Sequence, residues 1–174
     1  MGIGDLLVVG ALGVGAYYYL TKKSSANTGV IDVYGETETD IQQAINSTKA
    51  ERIINVHGNY NINSSILLPS DTTLMIDGKL VASNDITGPI IKNGDSNNGN
   101  KNITITGGEI DGNNVNVSGC NQGDNRCTSI LMEATPGKKN ENIKVQGTYL
   151  HNGKVRAIQY INCFNSLINA CTFK

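Results

Sequence analysis

Apolar and polar residues alternate with period two over several short stretches of this chain. Residues 102–112 read NITITGGEIDG, with Ile103, Ile105 and Ile110 at the apolar positions. Such alternation sends one side of a short strand inward and the other outward. The template then recurs in residues 142–152, NIKVQGTYLHN. At this offset of 40, Asn102 meets Asn142, Ile103 meets Ile143, Ile105 meets Val145, Gly107 meets Gly147 and Ile110 meets Leu150. A further offset of 23 carries Asn142 to Asn165, Val145 to Ile168 and Leu150 to Phe173. Upstream, Met75 and Leu80 are expected where Ile105 and Ile110 stand, at an offset of 30.

One such unit cannot bury its own apolar face. Units stacked about 4.8 Å apart pair their strands in parallel and share a continuous core. Unequal offsets follow where loops of different length leave the same corner; residues 113–127, NNVNVSGCNQGDNRC, form the obvious insertion. The spacing therefore predicts a solenoid of parallel strands. Gly107 and Gly147 would sit at tight turns, and Asn102, Asn142 and Asn165 would form a ladder at another. Asn-Gly pairs at 93–94, 98–99 and 152–153 would also suit antiparallel hairpins. An ordinary β-sandwich, however, gives no reason for a repeated eleven-residue template.

Two stretches depart from period two. In DIQQAIN, residues 40–46, Ile41, Ala44 and Ile45 share one face of a helix. Residues 6–20, LLVVGALGVGAYYYL, carry no charge, with Asp5 before them and Lys22–Lys23 after. As a helix this run spans about 22 Å, short of the roughly 30 Å hydrocarbon core. Its tyrosines fit an interfacial belt, and Gly10, Gly13, Gly15 and Ala16 give a small-residue face. A membrane anchor is the expectation. A cleaved secretion signal is disfavoured because no Lys or Arg precedes the run, and a helix buried in a virion-like assembly is the bland alternative. The expected organisation is an anchor helix over 1–23, a polar linker over 24–29 and a β domain over 30–174.

Composition supports the β reading. Gly numbers 20 and Asn 23 of 174 residues, and both favour tight turns and left-handed backbone. Lys+Arg is 14 against 15 Asp+Glu, with no basic cluster. A nucleic-acid surface needs concentrated positive charge and is excluded. Cys120 and Cys127 flank a polar loop and are a disulfide candidate; Cys163 and Cys171 are expected as small buried thiols. Neither His57 nor His151 lies at metal-ligand spacing from a Cys, so no metal site and no cofactor are expected.

The order DIQQAIN, RIINVHGNYNIN, ILLPSDTTLMIDGKLVAS, NITITGGEIDGNN resembles the start of the polygalacturonase and pectate-lyase superfamily. That resemblance covers about residues 30–174. It implies a right-handed parallel β-helix, a pectin-lyase-like solenoid whose N-terminal end the short helix caps, with the apolar helix before it. The family's hydrolytic aspartates do not carry over. No Asp follows Asp124, and Glu141 is the single carboxylate of residues 141–174. Asp77 and Asp111, each before a Gly, read as turn residues.

The expected function is therefore non-catalytic. It is a membrane- or particle-anchored β-helix at a cell surface or on a virion, in a structural or saccharide-binding role. His151, Lys154 and Arg156 are the candidate substrate-binding residues. Asn46, Asn63, Asn102 and Asn116 head glycosylation sequons. The alternative is an N-terminal fragment of a polysaccharide-cleaving enzyme, because the pattern stops in mid-repeat at CTFK. A homo-oligomer capping that open end is the partner expected besides polysaccharide and membrane.

Overall fold

The computed structural model describes residues 6–7, 20–21, 29–48, 51–119 and 127–174, and these make a predominantly β fold with parallel sheets. At the N-terminus, β1 (Leu6–Leu7) pairs antiparallel with β2 (Leu20–Thr21), Leu6 opposite Thr21. This corrects the expected apolar helix. A helix over 6–20 would hold its ends about 20 Å apart, whereas paired strands bring them within about 5 Å. The interior of that run, residues 8–19, and all but the last residue of the expected linker, residues 24–28, lie outside the described residues. Among the described residues no helix is long and apolar enough to cross a membrane. The expectation of a membrane-anchored protein held by its N-terminal helix is overturned with it.

Next come β3 (Val30–Tyr34), helix α1 (Glu38–Asn46), β4 (Arg52–Ile62), β5 (Ile66–Leu68) and β6 (Thr72–Ala82). They are followed by β7 (Ile91–Asn93), β8 (Lys101–Thr106), β9 (Glu109–Asp111), β10 (Thr128–Glu133), β11 (Asn140–Gln146) and β12 (Tyr149–His151). The last are β13 (Arg156–Ile161), β14 (Cys163–Phe164), β15 (Leu167–Asn169) and β16 (Thr172–Phe173). A large sheet runs β3-β4-β6, then β8-β11 and β9-β12 beside it, all parallel. A four-stranded parallel sheet runs β5-β7-β10-β13. Isoleucine, leucine and valine from inward positions of both sheets fill the space between, among them Ile54, Leu74, Ile105, Val145, Ile91 and Ile130, each fully buried. Each such side chain contributes roughly 1.5–3 kcal/mol by leaving water.

The pairing follows the repeat. Ile103 faces Ile143, Ile105 faces Val145 and Ile110 faces Leu150, while Val145 faces Ile168 and Leu150 faces Phe173. The upstream offset needs correction. Leu74, not Met75, stands opposite Ile105; Met75 points to solvent. Met75 pairs with Thr106 and Lys79 with Glu109, so β6 uses one more residue on the corner than its neighbour. The neighbour turns on Gly107 and Gly108, both left-handed, whereas β6 continues through Gly78.

The asparagine ladder forms. Asp71, Asn102, Asn142 and Asn165 all have φ between 50° and 60°, a region that Asn and Asp tolerate best among side-chain-bearing residues. Asn142 Nδ2 donates to Asn102 Oδ1 at 2.9 Å, and Asn102 Nδ2 donates to Asp71 Oδ1 at 2.8 Å. Helix α1 covers one end of the core with Ile41, Ala44 and Ile45 fully buried. Thr37 and Asp40 close its first turn, where the Thr37 N–H and hydroxyl both reach Asp40 Oδ2 at 3.2 Å.

Cys127 is disulfide-bonded; its expected partner Cys120 lies outside the described residues. Cys163 and Cys171 are free thiols. They pack against the core but stay partly exposed: Cys163 lies on β14 and Cys171 between β15 and β16, strands paired on one side only among the described residues.

Candidate functional site

Strands fix side chains on a lattice, so outward residues of neighbouring strands must meet. On the outer face, Lys79 of β6 lies opposite Glu109 of β9, Glu109 opposite Tyr149 of β12, and Asp111 opposite His151. These residues close into one cluster. Lys79 Nζ is 2.8 Å from Glu109 Oε1 and 2.8 Å from Asp111 Oδ2. His151 Nε2 is 2.8 Å from Glu109 Oε1 and 3.9 Å from Asp111 Oδ2. Tyr149 stacks on the His151 ring, centroids 4.7 Å apart. Asp111 also caps the turn that follows: its Oδ1 accepts from the Asn113 N–H at 2.9 Å and from Asn152 Nδ2 at 3.0 Å. Its expected turn role is therefore real but is half of what it does.

The charges reinforce one another. Hydrogen bonds from Lys79 to Asp111 and then Glu109 lift the ammonium above the usual lysine range. The same Lys79 bond, followed by His151, holds Glu109 below the usual carboxylate range. Burial pushes Asp111 up, but its bonds with Lys79, the Asn113 N–H and Asn152 outweigh that and leave it lowered. Both carboxylates are ionised at neutral pH, and neither holds a proton to give. Glu109, Asp111 and His151 together offer two oxygens and a nitrogen within 4.8 Å of one another.

A second histidine lies further along the same sheet. His57 Nε2 meets Asp32 Oδ1 at 2.9 Å and His57 Nδ1 meets Asp77 Oδ2 at 3.1 Å. Tyr34 stacks on its ring at 4.6 Å. The Asp32 hydrogen bond, more than the lesser one from Asp77, raises His57 above its ordinary value against the pull of burial. A cleft of about 280 Å³ opens near the asparagine ladder, with Arg52, Thr73 and Thr104 in its walls. Its one guanidinium is occupied: Arg52 donates to the carbonyls of Ile45, Thr48 and Ser70.

Of the predicted binding residues, His151 is in the cluster and the other two point elsewhere. Lys154 Nζ donates to the carbonyls of Asn114 and Val117 at 3.2 and 3.1 Å, tying down the loop after β9. Arg156 opens β13 in the four-stranded sheet, where its Nη1 reaches Gln159 Oε1 at 3.2 Å. The sequon asparagines are engaged as well. Asn46 Oδ1 accepts from Gln42, Asn63 Nδ2 donates to Glu38, Asn102 belongs to the ladder, and Asn116 Nδ2 donates to Asn113.

Sequence reasoning missed Lys79 and Glu109 because each unit by itself shows only an ordinary pair of surface charges, Lys79 near Asp77 and Glu109 near Asp111. The signal was present in the offsets themselves. An offset of 30 places Lys79 on Glu109, and an offset of 40 places Glu109 on Tyr149 and Asp111 on His151. Comparison with family models, with curated proteins and with solved structures finds no match for this chain, so what the cluster does has to be read from its own geometry.

Proposed function

We propose that the chain is a right-handed parallel β-helix of the pectin-lyase type and that it binds saccharide along the outer face carrying Lys79, Glu109, Asp111, Tyr149 and His151. Parallel strands held in register at the repeat offsets, glycine corners and a capping helix support the β-helix reading. The observation that carries the binding reading is the Tyr149–His151 stack beside a lysine and two ionised carboxylates. A sugar ring offers an apolar C–H face to an aromatic ring and hydroxyls to charged donors and acceptors. These side chains lie side by side across neighbouring parallel strands, an arrangement that suits an extended polymer better than a small ligand.

Binding is favoured over hydrolysis by charge. Glycoside cleavage needs one carboxyl group protonated as the acid, and Lys79 holds both groups ionised. One observation favours a second reading, a polysaccharide-cleaving enzyme: the Glu109 and Asp111 oxygens approach within 4.8 Å, comparable to the roughly 5 Å between carboxyls in retaining glycosidases.

One experiment addresses both. The full chain is titrated with polygalacturonate and with neutral glucans, and the same mixtures are assayed for reducing ends and unsaturated uronides. Saturable binding that Tyr149→Ala weakens on the order of tenfold, with the polymer intact, is the expected result. Cleavage abolished by Glu109→Gln would move the assignment to the enzyme. Failure to bind any acidic or neutral glycan would leave a scaffold and overturn the proposal.

A further inference from the structure

The cluster on β6, β9 and β12 has a property that sugar binding does not require. We propose that Glu109, Asp111 and His151 form a site for a divalent transition-metal ion of the Zn²⁺ class, and that the Lys79 ammonium stands where the ion would sit. An imidazole nitrogen is what separates this set from an acidic surface patch. One nitrogen and two carboxylate oxygens suit Zn²⁺, Co²⁺ or Mn²⁺, whereas Ca²⁺ and Mg²⁺ favour oxygen alone.

The spacing fits. An ion about 2.1 Å from each ligand in tetrahedral geometry holds the ligand atoms about 3.4 Å apart. The His151 Nε2 distances to Glu109 Oε1 and Asp111 Oδ2, 2.8 and 3.9 Å, straddle that value. Both carboxylates come from alternate positions of β9, and His151 from the strand paired beside it. The ligands are thus mounted on rigid backbone, and Tyr149 stacked on the imidazole fixes its plane. Lys79 already places a positive charge at 2.8 Å from both carboxylates. Its side chain is 30% exposed and carried on a flexible stem, so it can swing into solvent when a divalent ion replaces it. Three protein ligands leave a fourth position open for water or a ligand hydroxyl.

The test uses the full chain, stripped with a chelator and free of any glycan, titrated with Zn²⁺ by calorimetry and with Co²⁺ by absorption. Because no saccharide is present, this inference and the glycan reading can fail separately. One equivalent of ion is expected to bind. Loss of a direct ligand in His151→Ala should weaken it by at least the roughly tenfold that outer-shell changes cost. Lys79→Met should tighten it on the order of tenfold, since the competing cation is gone. Circular dichroism of each variant checks that the strands persist. The free thiols Cys163 and Cys171 are rival ligands, and a thiolate-to-Co²⁺ band in the near ultraviolet would reveal them. No binding by either wild type or Lys79→Met, binding that His151→Ala leaves unchanged, or a thiolate band would each overturn the site.

Discussion

Glu38 shows how one residue can carry charge into the capped end of the stack. It opens α1, is 8% exposed, and its carboxylate accepts from the Asn63 and Ser64 N–H groups and from the Ser64 hydroxyl at 3.0–3.2 Å. Burial alone would push its carboxyl up. The N–H groups of Asn63 and of Glu38 itself, with the Ser64 hydroxyl and N–H, outweigh burial and hold it below the ordinary 4.5. A carboxyl lowered in the folded state adds stability above its unfolded value and loses it as pH falls through the lower folded value. Glu38→Gln should therefore cost about 1–3 kcal/mol at neutral pH, the usual penalty for leaving buried donors poorly matched. Urea denaturation of both proteins from pH 7 to 3 checks this, and the gap should shrink below 4.5. A gap that stays constant across that range would mean the charge contributes nothing. The residue scale was the least legible in sequence. Glu38 is an ordinary surface acid by pattern, and only the return of the chain at Asn63 and Ser64, 25 and 26 residues on, makes it a buried acceptor.

At the scale of elements, the corners decide the register. Gly58 and Gly78 are adjacent in paired strands β4 and β6, and both have positive φ, +95° and +146°. Their surroundings differ. A Cβ at Gly58 meets nothing within 4 Å, while one at Gly78 would overlap the Gly58 backbone. Gly58→Ala should cost only the strain of its dihedral, about 1–2 kcal/mol. Gly78→Ala must also push β4 and β6 away from each other and should cost clearly more, by thermal or denaturant unfolding. Equal losses would refute the close-approach account. The template of alternating apolar residues, the glycines at 107 and 147 and the Asn ladder were legible because each repeats at the same place in its unit. The one-residue slip at Met75 was not, because β6 crosses the corner as a continuous strand and leaves no break in its pattern. The apolar run at 6–20 misled for a different reason. Its hydrophobicity is compatible with helix or strand, and the pairing of Leu6–Leu7 with Leu20–Thr21 depends on contacts that periodicity does not encode.

Over the whole molecule, burial falls from one end of the stack to the other. At the first end α1 covers the core, and the inward residues of β4 and β6 are almost wholly buried. At the other, β13, β14, β15 and β16 each have a neighbour on one side among the described strands. Phe164, Leu167, Ile168 and Phe173 there are 44–55% exposed. The first of these ends was legible in DIQQAIN, whose Ile41, Ala44 and Ile45 lie on one helix face and are buried. A strand hydrogen-bonded on both sides should open less often than one hydrogen-bonded on a single side. Native-state hydrogen exchange on the full chain measures this directly. Amides of β4 and β6 should exchange only near the global unfolding free energy, and those of β15 and β16 at distinctly lower opening energies. The gradient should persist at every protein concentration if the outer strands face water. Protection of β15 and β16 that rises with concentration would instead mean that a second copy covers them, pairing along the exposed edges that parallel sheets leave. Uniform protection across the sheets at high dilution would contradict this ordering altogether, since it would require the half-exposed last strands to be as firmly held as the buried ones.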